Sequence, residues 1–245
     1  MINLKYKPTI ETRGERHLRK SGILMHISSL PSPHGIGTMG KAARDFVDFL
    51  QESGQSYWQI LPICPTSYGD SPYQSYSAFA GNPYFIDLDE LKNMGLLEAK
   101  DYEDVDWEST DEKVNYGVLY EKRYPILQKA AIKFLDKPSE EFEKFCKENE
   151  EWLPEFALFM ALKDVHEGMQ WSEWKEEYRN RDKEAIGQAK SRYETEINLW
   201  KVYQYLFFKQ WRELKKYAND RDIRIIGDLP IYVAFDGADA WANPD

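Results

Sequence analysis

The chain has 245 residues, 42% of them hydrophobic and 15% aromatic, and a formal charge of −10 at pH 7. That length can bury a sizeable core as one large domain or two modest ones, and the negative balance argues against nucleic-acid binding, which needs clustered Lys and Arg. The locally basic first twenty residues read as a short solvated segment. No run approaches the ~20 apolar residues of a membrane span, and the first residues lack the basic-then-apolar order of a secretory signal. Two distant cysteines, Cys64 and Cys146, offer no disulfide framework, so a reduced, cytoplasmic protein is expected.

In chain order, Gly22 to Ile27 reads as a strand, followed by a Pro-rich loop. An amphipathic helix is predicted from about Lys41 to Ser53, with Ala42, Ala43, Phe46, Phe49 and Leu50 on one stripe and Gly54 as its stop. The apolar run Tyr57 to Ile63 reads as a second, buried strand, closing a βαβ unit whose strands should be parallel. Next comes an aromatic, glycine-punctuated loop, Tyr68-Gly69-Asp70-Ser71-Pro72-Tyr73-Gln74-Ser75-Tyr76, running on to Gly81-Asn82-Pro83. Residues 98–112 hold eight acids and one lysine, the composition of an exposed connector. From about Tyr116 to Asn219 the pattern is helical, with breaks near Pro125, Pro138, Pro154 and Gly168. The strongest helix spans Glu194 to Ala218, where Trp200, Tyr203, Phe207, Trp211, Leu214 and Ala218 recur at three- and four-residue spacing, as core packing requires. A third strand, Ile223 to Gly227, ends on Asp228, and Pro230 bars its continuation as a central strand.

Loops at the carboxyl ends of buried parallel strands are where α/β folds place chemistry. The loop after the second strand carries tyrosine faces, hydroxyls and a carboxylate, with no basic residue between Ser67 and Asn82. Such a surface suits a neutral polyhydroxylated ligand and not a phosphate, although the same residues also make ordinary turns. Asp228 stands at the corresponding end of the third strand, either as a functional carboxylate or as a cap on the Tyr232 or Val233 amides. Gly35, Gly37 and Gly40 spell the dinucleotide fingerprint by letter. Seven residues separate them from the strand, however, and the second strand ends in Ile63-Cys64-Pro65 without an acid for a ribose. These glycines instead let the backbone pass close to a ligand or a neighbouring loop. His17, His26, His34 and His166 show no metal-ligand spacing, so no metal and no organic cofactor is expected. His26, near the end of the first strand, is either a satisfied structural residue or a hydrogen-bonding group for a sugar.

Three segments occur in a telling order: SGILMHISSLPSPHGIG from Ser21 to Gly37, GDSPYQSYSAFAGNPYFIDLDEL from Gly69 to Leu91, and GDLPIYVA from Gly227 to Ala234, with Ala240-Trp241-Ala242-Asn243-Pro244 closing the chain. Together they resemble the amino-terminal part of the amylomaltases, the 4-α-glucanotransferases also called disproportionating enzymes. The resemblance implies an α/β fold: a partial (β/α)8 (TIM-type) barrel whose first three strands are present, with a large, mostly helical insertion between strands two and three. The corresponding division is residues 1–97 for strands one and two with the sugar loop, 98–219 for the insertion, and 220–245 for strand three and its loop. It further implies α-1,4-glucans and maltooligosaccharides as partners. Ser71 and Tyr73 would contact the glucose at the cleavage point, Asp228 would hydrogen-bond it, and Tyr68 would serve a more remote glucan-binding surface. Trp241 would lie near the mouth or pack beneath it.

Retaining transfer needs two carboxyl groups about 5–5.5 Å apart. In the resembled family these follow later strands, the nucleophile in an Arg-x-Asp-His motif that this sequence does not contain. The nucleophile and the acid/base are therefore expected beyond Asp245. On this expectation the chain is an amino-terminal portion that is inactive alone and needs the carboxyl-terminal half to close its barrel. The alternative is a non-catalytic α-glucan-binding or assembly module.

Overall fold

The computed structural model describes residues 19–67, 69–110 and 112–243. Three short strands, β1 (Gly22–Leu24), β2 (Tyr57–Gln59) and β3 (Arg224–Ile226), form a parallel sheet in the order β1-β2-β3. The register aligns Ile23, Trp58 and Ile225 in one row. Because side chains alternate across a strand, this row faces one way, and it packs on the hydrophobic core with Trp58 fully buried. The next row, Leu24, Gln59 and Ile226, is exposed, with Leu24 at 54% and Ile226 at 43%. The strands are shorter than the apolar runs suggest. After Leu24 a single further bond, Met25 N–H to the Gln59 carbonyl, precedes a 3₁₀ turn at Ile27–Ser29. After Gln59, Ile60 donates to the Ile226 carbonyl before Pro62 intervenes. His26 thus lies in the turn beyond β1, not within the strand.

The connection from β1 to β2 is the helix α1 (Lys41–Glu52). Its buried line is Ala43, Val47 and Leu50, while Phe46 is partly buried and meets the edge of Trp58 at 5.2 Å. Phe49, expected on the buried stripe, is 50% exposed and stacks on Phe46 instead. A helix turns about 100° per residue, so position 49 lies roughly 130° from the centre of a stripe built on residues 43, 47 and 50 and falls outside it.

The Gly35-x-Gly37-x-x-Gly40 stretch serves the chain's own packing. A Cβ on Gly37 would sit 1.9 Å from the Ile27 carbonyl oxygen, and one on Gly40 would sit 1.9 Å from the Asp87 carboxylate. Asp87 caps α2 (Leu88–Asn93) through the Glu90 amide and accepts from the Thr38 hydroxyl at 2.6 Å. Fully buried Arg123 donates to the carbonyls of His34 (3.0 Å) and Ile86 (2.7 Å), joining the loop after β1 to the segment before α2. The acidic stretch 98–112 is not wholly exposed. Tyr102 and Trp107 are buried in it and anchor the chain, because two large aromatic surfaces outweigh the preference of the flanking acids for water.

Between β2 and β3 the chain is largely helical. It includes α3 (Tyr124–Leu135), α4 (Glu140–Glu148), α5 (Leu153–Val165), α6 (Lys183–Arg192) and α7 (Glu194–Asn219). Pro154 falls in the first turn of α5, where a missing N–H costs nothing. The break expected near Pro125 is absent: helical backbone runs from Tyr116 through a π-helical stretch, Leu119–Arg123, directly into α3, and the wider π turn precedes the proline. Helix α7 packs on α1, α3, α4 and α5, so residues 199–207 are buried nearly all round. Its buried Gln204 brackets the backbone of Gly81, accepting from the amide (2.7 Å) and donating to the carbonyl (2.9 Å). Gln210 does the same for Asp87 (2.7 and 3.1 Å). The long helix thereby fixes both ends of the segment leading out of the aromatic loop. After β3 the chain ends its described part in α8 (Ala238–Ala242).

Candidate functional site

Residues 65–76 form a tight hairpin-like loop at the carboxyl side of β2. Thr66 and Ser75 make an antiparallel bridge, and Tyr76 N–H donates to the Pro65 carbonyl at 3.1 Å. The buried Ser75 hydroxyl meets the Pro65 and Ser77 carbonyls, each at 2.8 Å. At the tip, Ser71 Oγ accepts from the Tyr73 amide at 3.3 Å, and the Gln74 amide donates to the Ser71 carbonyl. Asp70 adopts φ +55°, a left-handed conformation that Asp tolerates better than most residues. Tyr68 lies outside the described residues, as do His17 and Asp245, the residue beyond which the carboxyl pair is expected.

The loop is tied to the chain beyond β3. Asp239, in the first turn of α8, accepts from the Ser77 hydroxyl (3.0 Å) and the Ala78 amide (2.8 Å), and the Ala238 amide donates to the Tyr76 carbonyl (2.7 Å). The decisive contact is at the rim. The Tyr73 hydroxyl donates to Asp228 Oδ2 at 2.8 Å, across 155 residues of sequence. That bond raises the Tyr73 phenol above its ordinary pKa. Among the described hydrogen bonds Asp228 does not cap Tyr232 or Val233, and its Oδ1 remains open. Tyr73 is half exposed, so ring, hydroxyl and carboxylate face solvent together.

His26 lies in an adjoining cleft that the same loop borders through Asp70 and Pro72. It lines this cleft of about 130 Å³ under the loop with Ser28, Thr66, Asp70, Asn82 and Tyr116; Ser71, Tyr73 and Asp228 are not in that lining. Burial lowers the His26 pKa to about 4, and its ring meets the edge of Phe85 at 5.3 Å. Among the described residues its Nδ1 is buried without a hydrogen-bond partner. Burial pushes the Asp70 carboxyl in the same cleft upward. The sequence thus offered one set of five residues, whereas the structure brings Ser71, Tyr73 and Asp228 to the rim and His26 to the cleft beneath it.

Trp241 packs under the site, 1% exposed, donating to the Tyr178 carbonyl at 2.9 Å with the Arg181 guanidinium 4.1 Å from its ring centre. Two further supports have no sequence signal. Lys163 and Asp236 pair beneath the loop, and Trp171 Nε1–H donates to the Phe235 carbonyl at 2.6 Å. Among the described residues no cluster of His, Cys, Asp or Glu is placed to hold a metal ion, and no helix is long and apolar enough to cross a membrane.

This arrangement of carboxylate, phenol and hydroxyls on a surface backed by aromatics can accept and donate hydrogen bonds to a neutral polyol and stack against its apolar face. Residues 25–245 match the model of a family described as 4-alpha-glucanotransferase. Among curated relatives, the 4-alpha-glucanotransferase of Clostridium butyricum is 50% identical over 221 residues, which are 90% of this chain and 45% of that protein. That of Streptococcus pneumoniae is 51% identical over 228 residues, 92% of this chain and 45% of the relative. The chain therefore spans just under half the length of these relatives. Among solved structures, the amylomaltase of Streptococcus agalactiae in complex with acarbose superposes with a TM-score of 0.90 at 45% identity, covering 93% of this chain and 46% of that one.

Proposed function

The chain belongs to the 4-alpha-glucanotransferase family, and on that premise we propose that it supplies part of the glucose-binding wall of an enzyme passing α-1,4-glucan segments between maltooligosaccharides. The observation that carries this reading is the Tyr73–Asp228 hydrogen bond, which joins the aromatic loop to the end of β3 and leaves Asp228 Oδ1 without a hydrogen bond among the described residues. In this reading Oδ1 accepts a glucose hydroxyl, Tyr73 covers one face of the ring, and the Ser71 hydroxyl adds a further contact. Tyr68 contributes to a remoter glucan surface. The acarbose complex of the Streptococcus agalactiae relative supports an α-glucan as the ligand class.

Transfer with retention proceeds by two displacements. A carboxylate attacks the anomeric carbon while a carboxylic acid protonates the leaving oxygen, and an acceptor hydroxyl then reverses both steps. We assign that carboxyl pair to the part of the family's length beyond Asp245, which this chain does not span. The carboxyl-terminal half would also cover the exposed Leu24 and Ile226 row and complete a (β/α)8 barrel.

The test is incubation of the 245-residue chain with maltotriose, alone and with the separately produced carboxyl-terminal half of the Clostridium butyricum relative. The expected result is no turnover alone, with glucose and longer maltooligosaccharides formed once the two are combined. Disproportionation by the chain alone would place the carboxylates within residues 1–245. Acarbose binding without turnover in the combined sample would favour a glucan-binding module, and absence of both would end the glucan reading.

A further inference from the structure

Asp228 sits on a segment with little support of its own. Among the described bonds, residues 228–234 make no backbone–backbone hydrogen bond, and their only side-chain bond is the one from Tyr73. Leu229, Ile231, Tyr232 and Val233 are 64–87% exposed. The segment is held at its start by β3 and at its end by Phe235 and Asp236. The second anchor converges on one buried cation.

Lys163, in the last turn of α5, has a side chain only 3% exposed. Its Nζ donates to Asp236 Oδ2 and to the Met169 carbonyl at 3.1 Å, and lies 5.0 Å from the centre of the Tyr76 ring. Asp236 Oδ1 accepts from the Trp171 amide at 3.2 Å, and the Trp171 and Phe235 rings meet at 4.9 Å. A lysine this buried is tolerated only when its charge is matched and its protons are bonded. Here the match is shared among three pieces of chain: the aromatic loop through Tyr76, the segment after β3 through Asp236, and the helical region through Met169.

We propose that Lys163 is a positioning residue that sets the two walls of the candidate glucose site against each other, holding the Asp228 segment in register with the Tyr73 loop. For its consequence in sugar binding this rests on the glucan reading; for its structural content it does not. Removing the ammonium frees Asp236 from α5 and leaves the far end of the segment held by Trp171 and by the Ala238 and Asp239 bonds to the loop. The Asp228 segment then loosens between β3 and α8, and Asp228 drifts from Tyr73.

The experiment uses the 245-residue chain with ¹³C-labelled tyrosine, the Tyr73 signal being assigned by loss in Tyr73→Phe. In Lys163→Met and in Asp236→Asn, Tyr73 is expected to titrate closer to the ordinary value near ~10. Amide exchange across 228–238 should quicken roughly 10-fold or more, with α1 and α3 unchanged. If Lys163→Met does not fold, Asp236→Asn carries the test, because its amide oxygen can still accept from Trp171. Leu214→Ala, which loosens α7 without touching the junction, is expected to leave the Tyr73 titration in place. An unmoved Tyr73 titration in the junction variants, or an equal shift in Leu214→Ala, overturns the proposal. Acarbose binding is measured on the same samples. Failure to bind acarbose even when the wild-type chain is combined with the carboxyl-terminal half of the Clostridium butyricum relative counts against the glucan reading, while the Tyr73 titration still decides the role of Lys163.

Discussion

Asp228 Oδ2 is engaged by Tyr73, and a single open oxygen remains for a ligand. Asp228→Asn keeps the size and one acceptor but loses the charge. A hydrogen bond to a charged group contributes about 1.5–3 kcal/mol, so in the enzyme completed with its carboxyl-terminal half kcat should fall ~10- to 100-fold. Thermal stability should hardly change, because the residue is at the exposed rim. Tyr73→Phe keeps the ring and removes one neutral donor, so a loss of ~3- to 10-fold is expected. Steady-state kinetics with maltotriose checks both, and an unchanged kcat in a well-folded Asp228→Asn protein would remove that residue from the site. The placement of Asp228 at a strand end is legible from Ile223 to Gly227 and the Pro230 that follows. Its meeting with Tyr73 is not, because no local spacing encodes a contact across 155 residues. Lys163 is less legible still: a lysine in a helix reads as a solvated face, and only tertiary packing turns it inward.

At the level of elements, α7 is the part that the apolar spacing describes best, yet its most consequential side chains are polar. Gln204 and Gln210 are 0% and 2% exposed, and each satisfies both the amide and the carbonyl of one residue in the segment from Gly81 to Asp87. Replacing Gln204 by Leu strands two buried backbone groups, whereas Gln210→Leu strands the Asp87 amide alone, because the Leu91 amide still donates to the Asp87 carbonyl. An unsatisfied buried group costs about 1–3 kcal/mol, so Gln204→Leu should lose roughly 2–4 kcal/mol in urea unfolding and Gln210→Leu roughly 1–3 kcal/mol, both more than Lys209→Ala on the same helix. A loss below ~1 kcal/mol would mean that water replaces the glutamine. The parallel βαβ unit, the long helix and the helical run between β2 and β3 were readable because periodicity reports which face is buried. The strand ends were not, since Ile60 to Ile63 stay apolar past the last ladder bond. Nor was the anchoring of residues 98–112, where charge masked Tyr102 and Trp107.

Two opposing electrostatic effects decide how the whole molecule responds to acid. The formal charge of −10 falls toward zero near the pI of about 5.1, which relieves self-repulsion and favours the compact state. Against this stand His26 and His34, both lowered mainly by burial, His26 to about 4. A histidine whose folded pKa lies below its unfolded value of ~6.5 contributes stability that is complete above pH 6.5 and is lost as pH falls toward the folded value, because the unfolded chain takes up the proton first. Asp70 and Asp164, both raised by burial, Asp164 to about 6, act in the opposite sense: each gains stability as pH falls through its folded value toward the unfolded 3.8, and the Asp164 window overlaps that of His26. At 0.15 M salt the Debye length is about 8 Å, so the diffuse repulsion is largely screened while the buried histidines are not. Asp164 regains part of the histidine loss, so unfolding free energy is expected to fall only modestly from pH 7.5 to 5.5, with about 1 kcal/mol lost through His26 alone. His26→Gln, which cannot titrate, should flatten the profile by that amount, and lowering the salt should shrink the slope in both proteins. Denaturant titrations at four pH values across this range check it. A stability that rises on acidification at 0.15 M salt would mean that the net charge and the buried carboxyls, not the buried imidazoles, govern the molecule.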